Sequence, residues 1–146
     1  DHFAKVEWRY SAHPQQPTSY SRDHTTTLEN GQVIANSAAP AFLGNAAMAN
    51  PETLLLAALA SCHMLTFLAV ASKRGFQVGH YQDKVQGTLG KNNEGRMAII
   101  HCTLNPIIEF TGEKAPSPEQ LQELHQSAHR NCFIANSLNT QVEIRS

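Results

Sequence analysis

The sequence predicts an α+β fold in which antiparallel sheets are wrapped around a long central helix. Segments that alternate like strands lie on both sides of one long apolar segment, and that segment carries helix caps at both ends. A second helix and a last strand follow. The chain has 146 residues, a length that suits one domain, so we predict a single domain over residues 1–146.

The N-terminal part predicts strands and loops. Residues 3–10 alternate between apolar and charged side chains, which indicates a half-buried strand. Residues 11–19 contain two prolines and predict a loop. Residues 22–28 and 32–35 flank an Asn-Gly pair, a strong tight-turn signal, and predict a hairpin. Small and polar side chains over residues 36–50 indicate a long connection.

The stretch NPETLLLAALASCHMLTFLAVASKRG predicts the long helix. Asn50 is a good N-cap, and Pro51 fits the first turn. Glu52 suits the positive end of the helix dipole, and Gly75 can form the C-terminal cap. The helix is apolar on all faces, so it must be buried in protein or in lipid. A membrane span needs about 20 apolar residues, and here polar side chains interrupt the run. We therefore expect a buried helix of a soluble protein, partly covered by a second subunit.

The C-terminal part predicts two longer strands, a helix and a last strand. Residues 77–89 and 97–110 should form a hairpin joined by GKNNEG. A Ser-Pro-Glu-Gln start predicts a helix over residues 117–129. A short helical turn is expected over residues 132–138 and a strand over 141–145.

Composition excludes several classes of function. Charges nearly balance, at 11 basic and 12 acidic residues, so neither nucleic acid nor a membrane is expected as a partner. The first residues lack the apolar core of a signal peptide. Three scattered cysteines build neither a secreted disulfide framework nor a structural zinc site. We expect a cytoplasmic, reducing location and no cofactor or metal.

The cysteines leave two interpretations open. Periodicity alone favours core positions for all three, Cys62, Cys102 and Cys132. However, Cys62 and Cys132 could meet in space, and a peroxide-reducing thiol needs such a resolving partner. A guanidinium favours the reactive thiolate, and Arg22 could supply it while Glu52 holds it in a bidentate pair. Alternatively, Arg22 is a solvated strand-end residue and Glu52 only a helix-dipole residue.

At these residues the sequence resembles the OsmC/Ohr family of thiol-dependent peroxidases. The segment NPETLLLAALASCHMLTFLA matches the family pattern, in which a cysteine follows Asn-Pro-Glu ten positions after the Glu. The upstream arginine of the family matches Arg22, and its second cysteine matches Cys132. SCHMLTFLAVASKRGF and CFIANSLNTQV are similar to the OsmC-like hydroperoxide reductase subgroup. One departure is Phe133, where many members have proline.

The resemblance implies an OsmC-type intertwined homodimer with active sites at the subunit interface. Cys62 would attack an organic hydroperoxide, or hydrogen peroxide, and Cys132 would close the disulfide. Arg22 would stabilise the developing charge and Glu52 would orient Arg22. A dithiol, such as a lipoylated protein, would restore the thiols.

Two alternatives compete with the peroxidase. One is an OsmC-fold binding or stress-associated protein with little peroxidase activity. The other is a metal-binding module using Cys62 and the neighbouring His63, although the spacing matches no ligand pattern. We expect His63 to be a structural helix residue with a polar partner, and Cys102 to be a packing residue.

Overall fold

The computed structural model describes all 146 residues and shows a mixed fold of eight strands, three α-helices and one short 3-10 helix at Pro40–Phe42. The strands are β1 (Ala4–Glu7), β2 (His24–Leu28), β3 (Val33–Asn36), β4 (Gln77–Asp83), β5 (Gln86–Lys91), β6 (Met97–Leu104), β7 (Pro106–Thr111) and β8 (Gln141–Ile144). The helices are α1 (Pro51–Lys73), α2 (Pro118–Asn131) and α3 (Phe133–Asn136). By its internal contacts the chain divides into two compact units, residues 1–54 and 55–146.

The N-terminal unit is built on the antiparallel sheet β1-β2-β3. The predicted hairpin is confirmed as β2 and β3, and Gly31 adopts the positive φ of 89° that its tight turn requires. The prediction that the first strand is half-buried is wrong for the single chain. β1 is shorter than predicted, and all four of its residues are exposed. Trp8 lies just beyond β1, and its indole N–H donates to the Ser21 carbonyl at 2.9 Å.

Helix α1 begins and ends where its caps predict. The Asn50 side chain accepts the Thr53 N–H at 3.0 Å, and Gly75 has φ 84° just after the last turn. Within the single chain, α1 buries only one stripe of its surface. The buried residues of this stripe are Leu59, His63, Phe67 and Ala71. α1 is long and apolar enough to cross a membrane by length and composition alone. Core helices of soluble proteins meet the same criterion.

The two long strands predicted after α1 are each broken into two. β4 pairs with β7 and β5 pairs with β6, so the halves lie in different sheets. The break is stabilised by side chains: Asp83 Oδ1 accepts the Asn105 N–H at 2.7 Å, and Asn105 Nδ2 donates to the Lys84 carbonyl at 3.2 Å. Pro106 then has no N–H to continue the β6 ladder. The predicted GKNNEG turn does join β5 to β6, and β8 adds to β6 in parallel.

Two apolar clusters form the core of the second unit. The first contains Phe67, Ala71, Phe76, Leu124 and Ala128. The second contains Leu59, Cys102, Leu104 and Cys132. Cys102 is fully buried there, as the packing prediction requires. Because Leu59 and Phe67 lie on one stripe of α1, this helix runs past both clusters.

Candidate thiol site

Cys62 lies in the middle of α1 and is half-buried. It follows Leu59 by three positions, so it lies at the edge of the buried stripe and packs against the second apolar cluster. Its thiol is free. The helix thus places Cys62 at the boundary between core and surface.

Cys132 lies at the joint between α2 and α3 and is fully buried. It ends α2 with extended backbone angles, φ −75° and ψ 113°, and it is also the N-cap of α3. The Ala135 N–H donates to its sulfur at 3.4 Å, so the thiol performs the capping role that Ser or Asp usually fills. This cap fixes the direction of the sulfur.

Cys62 and Cys132 lie close together, because Cys62 packs against the apolar cluster that contains Cys132. The pKa of the Cys132 thiol is raised to about 11, chiefly by burial, and the neighbouring Cys62 thiol adds to this effect. Cys132 therefore keeps its proton at neutral pH. Two thiols that lie close together meet the first requirement of a reactive cysteine and its resolving partner, which is proximity.

Arg22 lies in the N-terminal unit, where neighbouring side chains hold it. Its Nη1 donates to Ser19 Oγ at 2.9 Å and to the Tyr20 carbonyl. Its guanidinium carbon lies 3.9 Å from the centre of the Tyr20 ring, a cation–π distance. The Trp8 ring packs edge-on against Tyr20 at 6.0 Å. Arg22 is thus held in one orientation and is not a freely solvated side chain.

Glu52 lies in the first turn of α1 and is half-buried. It forms no ion pair with Arg22 within the chain, and the Arg22 guanidinium instead binds Ser19 and Tyr20 through Nη1. The sequence predicted this pair, and it stays a prediction for the assembled protein.

A buried histidine pair lies next to Cys62 in α1. His63 Nε2 and His125 Nδ1 are 3.0 Å apart, so the polar partner expected for His63 is present. Burial lowers the pKa of both rings to about 4, and for His63 the charges of His125 and His129 add to the effect. Sequence reasoning missed His125, although it lies on the apolar face of α2 beside Leu124.

Two further features do not coincide with the predicted site. No group of three or more His, Cys, Asp or Glu side chains could hold a metal ion. A groove of about 890 Å³ in the second unit runs between the β5–β6 turn and the segment before β8, and none of the predicted site residues lines it.

Comparison with known proteins places the chain in a family. The family model for "OsmC-like protein" matches residues 44–146, which is more than half of the sequence. The chain belongs to the OsmC-like family. The matched residues include Glu52, Cys62 and Cys132, whereas Arg22 lies before them.

Solved structures of OsmC/Ohr proteins share this fold. An OsmC-like protein of unknown function from Vibrio cholerae is 39% identical, with a TM-score of 0.92 over 99% of this chain and 97% of that one. An organic hydroperoxide resistance protein OsmC from Legionella pneumophila is 17% identical, with a TM-score of 0.75 over 99% and 94%. The organic hydroperoxide resistance protein OhrB of Bacillus subtilis is 22% identical, with a TM-score of 0.63 over 98% of each chain. The two weaker identities show the fold alone.

Proposed function

We propose that this OsmC-like protein is a thiol-dependent peroxidase that reduces organic hydroperoxides. The observation that carries the proposal is that the half-buried Cys62 packs against the apolar cluster that contains the buried Cys132. The names of the Legionella and Bacillus relatives, which are organic hydroperoxide resistance proteins, support the substrate class.

The reaction needs both thiols. The Cys62 thiolate attacks one oxygen of the hydroperoxide, the O–O bond breaks, and the leaving alkoxide takes a proton to become an alcohol. Cys62 is now a sulfenic acid. The Cys132 sulfur then attacks the Cys62 sulfur, the S–O bond breaks, and water leaves with the Cys132 proton. Two thiols and one hydroperoxide thus yield one disulfide, one alcohol and one water.

A dithiol reductant completes the cycle, and a lipoylated protein fits that role. Such a reductant exchanges with the disulfide through a mixed-disulfide intermediate, so neither a cofactor nor a metal is required. A reducing, cytoplasmic location supplies it.

Arg22 and Glu52 complete the proposed site in an intertwined homodimer whose sheets surround the α1 helices. The Arg22 guanidinium stabilises the negative charge that develops on the reacting oxygen, and Glu52 of the assembled protein orients it. The fixed orientation of Arg22 on Tyr20 supports this role, because a preorganised charge does not need to be ordered during the reaction.

Exposed apolar surface supports a second copy of the chain as the partner. On α1, Ala57, Ser61, Leu65 and Ala69 are exposed at four-residue intervals. Leu65 is 60% exposed, and Val6 and Tyr10 in the N-terminal unit are 67% and 71% exposed. Small side chains beside Leu65 allow another helix to approach closely, and burying this surface would be favourable.

The test is a thiol count. The reduced protein is mixed with cumene hydroperoxide, and free thiols per chain are measured against time. We expect the loss of two thiols in the parent protein and in Cys102→Ser, which is the matched control. Cys62→Ser should lose none, and Cys132→Ser should give a sulfenic acid that dimedone traps. An unchanged count in the parent would favour the non-enzymatic alternative.

A further inference from the structure

The His63–His125 hydrogen bond joins the two helices that carry the thiols. His63 follows Cys62 directly in α1, and His125 lies in α2 seven residues before Cys132. Seven residues are two helical turns, or about 10 Å along the axis. A shift of α2 at His125 therefore moves the Cys132 end of the same rigid helix.

The bond is buried and geometrically restrictive. The two side chains are 1% and 4% exposed, and their ring planes lie within 10° of each other. One ring nitrogen donates and the other accepts, so the bond forms only when the two rings meet edge to edge. Breaking it leaves a buried polar atom without a partner, at a cost of about 1–3 kcal/mol.

No other side-chain hydrogen bond joins α1 to α2. The rest of their contact is apolar, formed by Phe67 and Ala71 with Leu124 and Ala128. An Arg74–Glu123 ion pair at 3.3 Å lies just beyond the end of α1 and is exposed. Apolar contacts are non-directional and tolerate sliding, whereas a buried polar pair can specify one register between helices.

We propose that His63 and His125 are positioning residues that hold α2 in the register at which the Cys132 sulfur meets the Cys62 sulfur. The role rests on the proposed function of these cysteines as a redox pair. A disulfide tolerates only a narrow range of Cα separations, and strain in it favours the reduced dithiol. The histidine bond thus favours disulfide closure without touching the peroxide.

The test equilibrates each variant in buffers of reduced and oxidised dithiothreitol and measures the Cys62–Cys132 disulfide by alkylation and mass spectrometry. The main variant is the double change His63→Leu and His125→Leu. It removes the bond without leaving an unpaired polar atom, and such apolar replacements are often neutral or stabilising. Circular dichroism verifies that it folds. We expect its ratio of disulfide to dithiol to fall about tenfold, which corresponds to about 30 mV for a two-electron couple.

Two single variants complete the test. His125→Asn retains a polar group where Nδ1 lies, so it should restore most of the ratio. His129→Asn makes the same change one turn further on an exposed position and should leave the ratio as in the parent. A folded double-leucine variant with the ratio of the parent would overturn the positioning role.

The outcomes separate this proposal from the proposed function. A parent protein that forms no Cys62–Cys132 disulfide in any of these buffers overturns the positioning role. A parent that forms the disulfide but leaves hydroperoxide unchanged contradicts only the peroxidase, and the variants still decide the positioning role.

Discussion

Mild acid should destabilise this protein through the buried histidine pair. Burial lowers the pKa of His63 and of His125 from 6.5 to about 4, and His125 and His129 contribute further to the lowering at His63. Because the folded-state pKa lies below the unfolded-state value, the unfolded chain binds more protons between pH 6.5 and 4. The neutral rings keep their full stabilising effect above pH 6.5, and the free energy of unfolding falls as the pH is lowered through this window.

The size of the effect follows from the shift. At pH 5, a pKa of about 4 in the folded state against 6.5 in the unfolded state costs about 2 kcal/mol per histidine, rising to about 3 kcal/mol below pH 4. The two rings share one hydrogen bond, so the pair together loses at most about 4 kcal/mol at pH 5. That is a large part of the stability of a domain this size.

Urea denaturation at pH 7 and pH 5 measures this loss. The thiols are kept reduced and the protein concentration is held constant, because association would shift the midpoint. The comparison protein carries His63→Leu and His125→Leu. The other six histidines titrate in both proteins, so their contribution cancels when the two losses of stability are compared. We expect the parent to lose more stability than this variant between the two pH values. Equal losses would show that neither ring resists protonation in the folded state, and the reasoning would be refuted.

Three further changes test other parts of the structure. Ser117→Ala removes the capping box with Gln120 and should lower the free energy of unfolding, measured by thermal unfolding, by about 1 kcal/mol. Peroxide reduction should be unaffected, and an unchanged stability would mean that the cap contributes nothing. Tyr20→Leu removes the ring beneath Arg22 and should slow the peroxide-dependent loss of thiols while the melting temperature changes little. An unchanged rate would show that this ring does not matter to the reaction. Leu65→Lys places a charge on the exposed face of α1 and should convert a dimer to monomer in size-exclusion chromatography with light scattering, whereas a persistent dimer would point to another interface.

Local signals in the sequence were sufficient for the single elements. Asn50, Pro51 and Gly75 determine where α1 begins and ends, because caps act within one turn of the chain. The Asn-Gly pair likewise determines the β2–β3 hairpin. The strand breaks were missed because the Asp83–Asn105 hydrogen bond joins residues that are distant in sequence.

The sequence by itself determined which residue types stand at the candidate site. The cysteine ten positions after Asn-Pro-Glu, its histidine neighbour and the second cysteine can all be read along the chain, and the family match covers them. Only the tertiary structure decided that Cys132 is buried against Cys62 and that His63 bonds to His125. The reason is physical: helix periodicity shows which face a side chain occupies, but which residue lies opposite depends on the packing of α2 against α1.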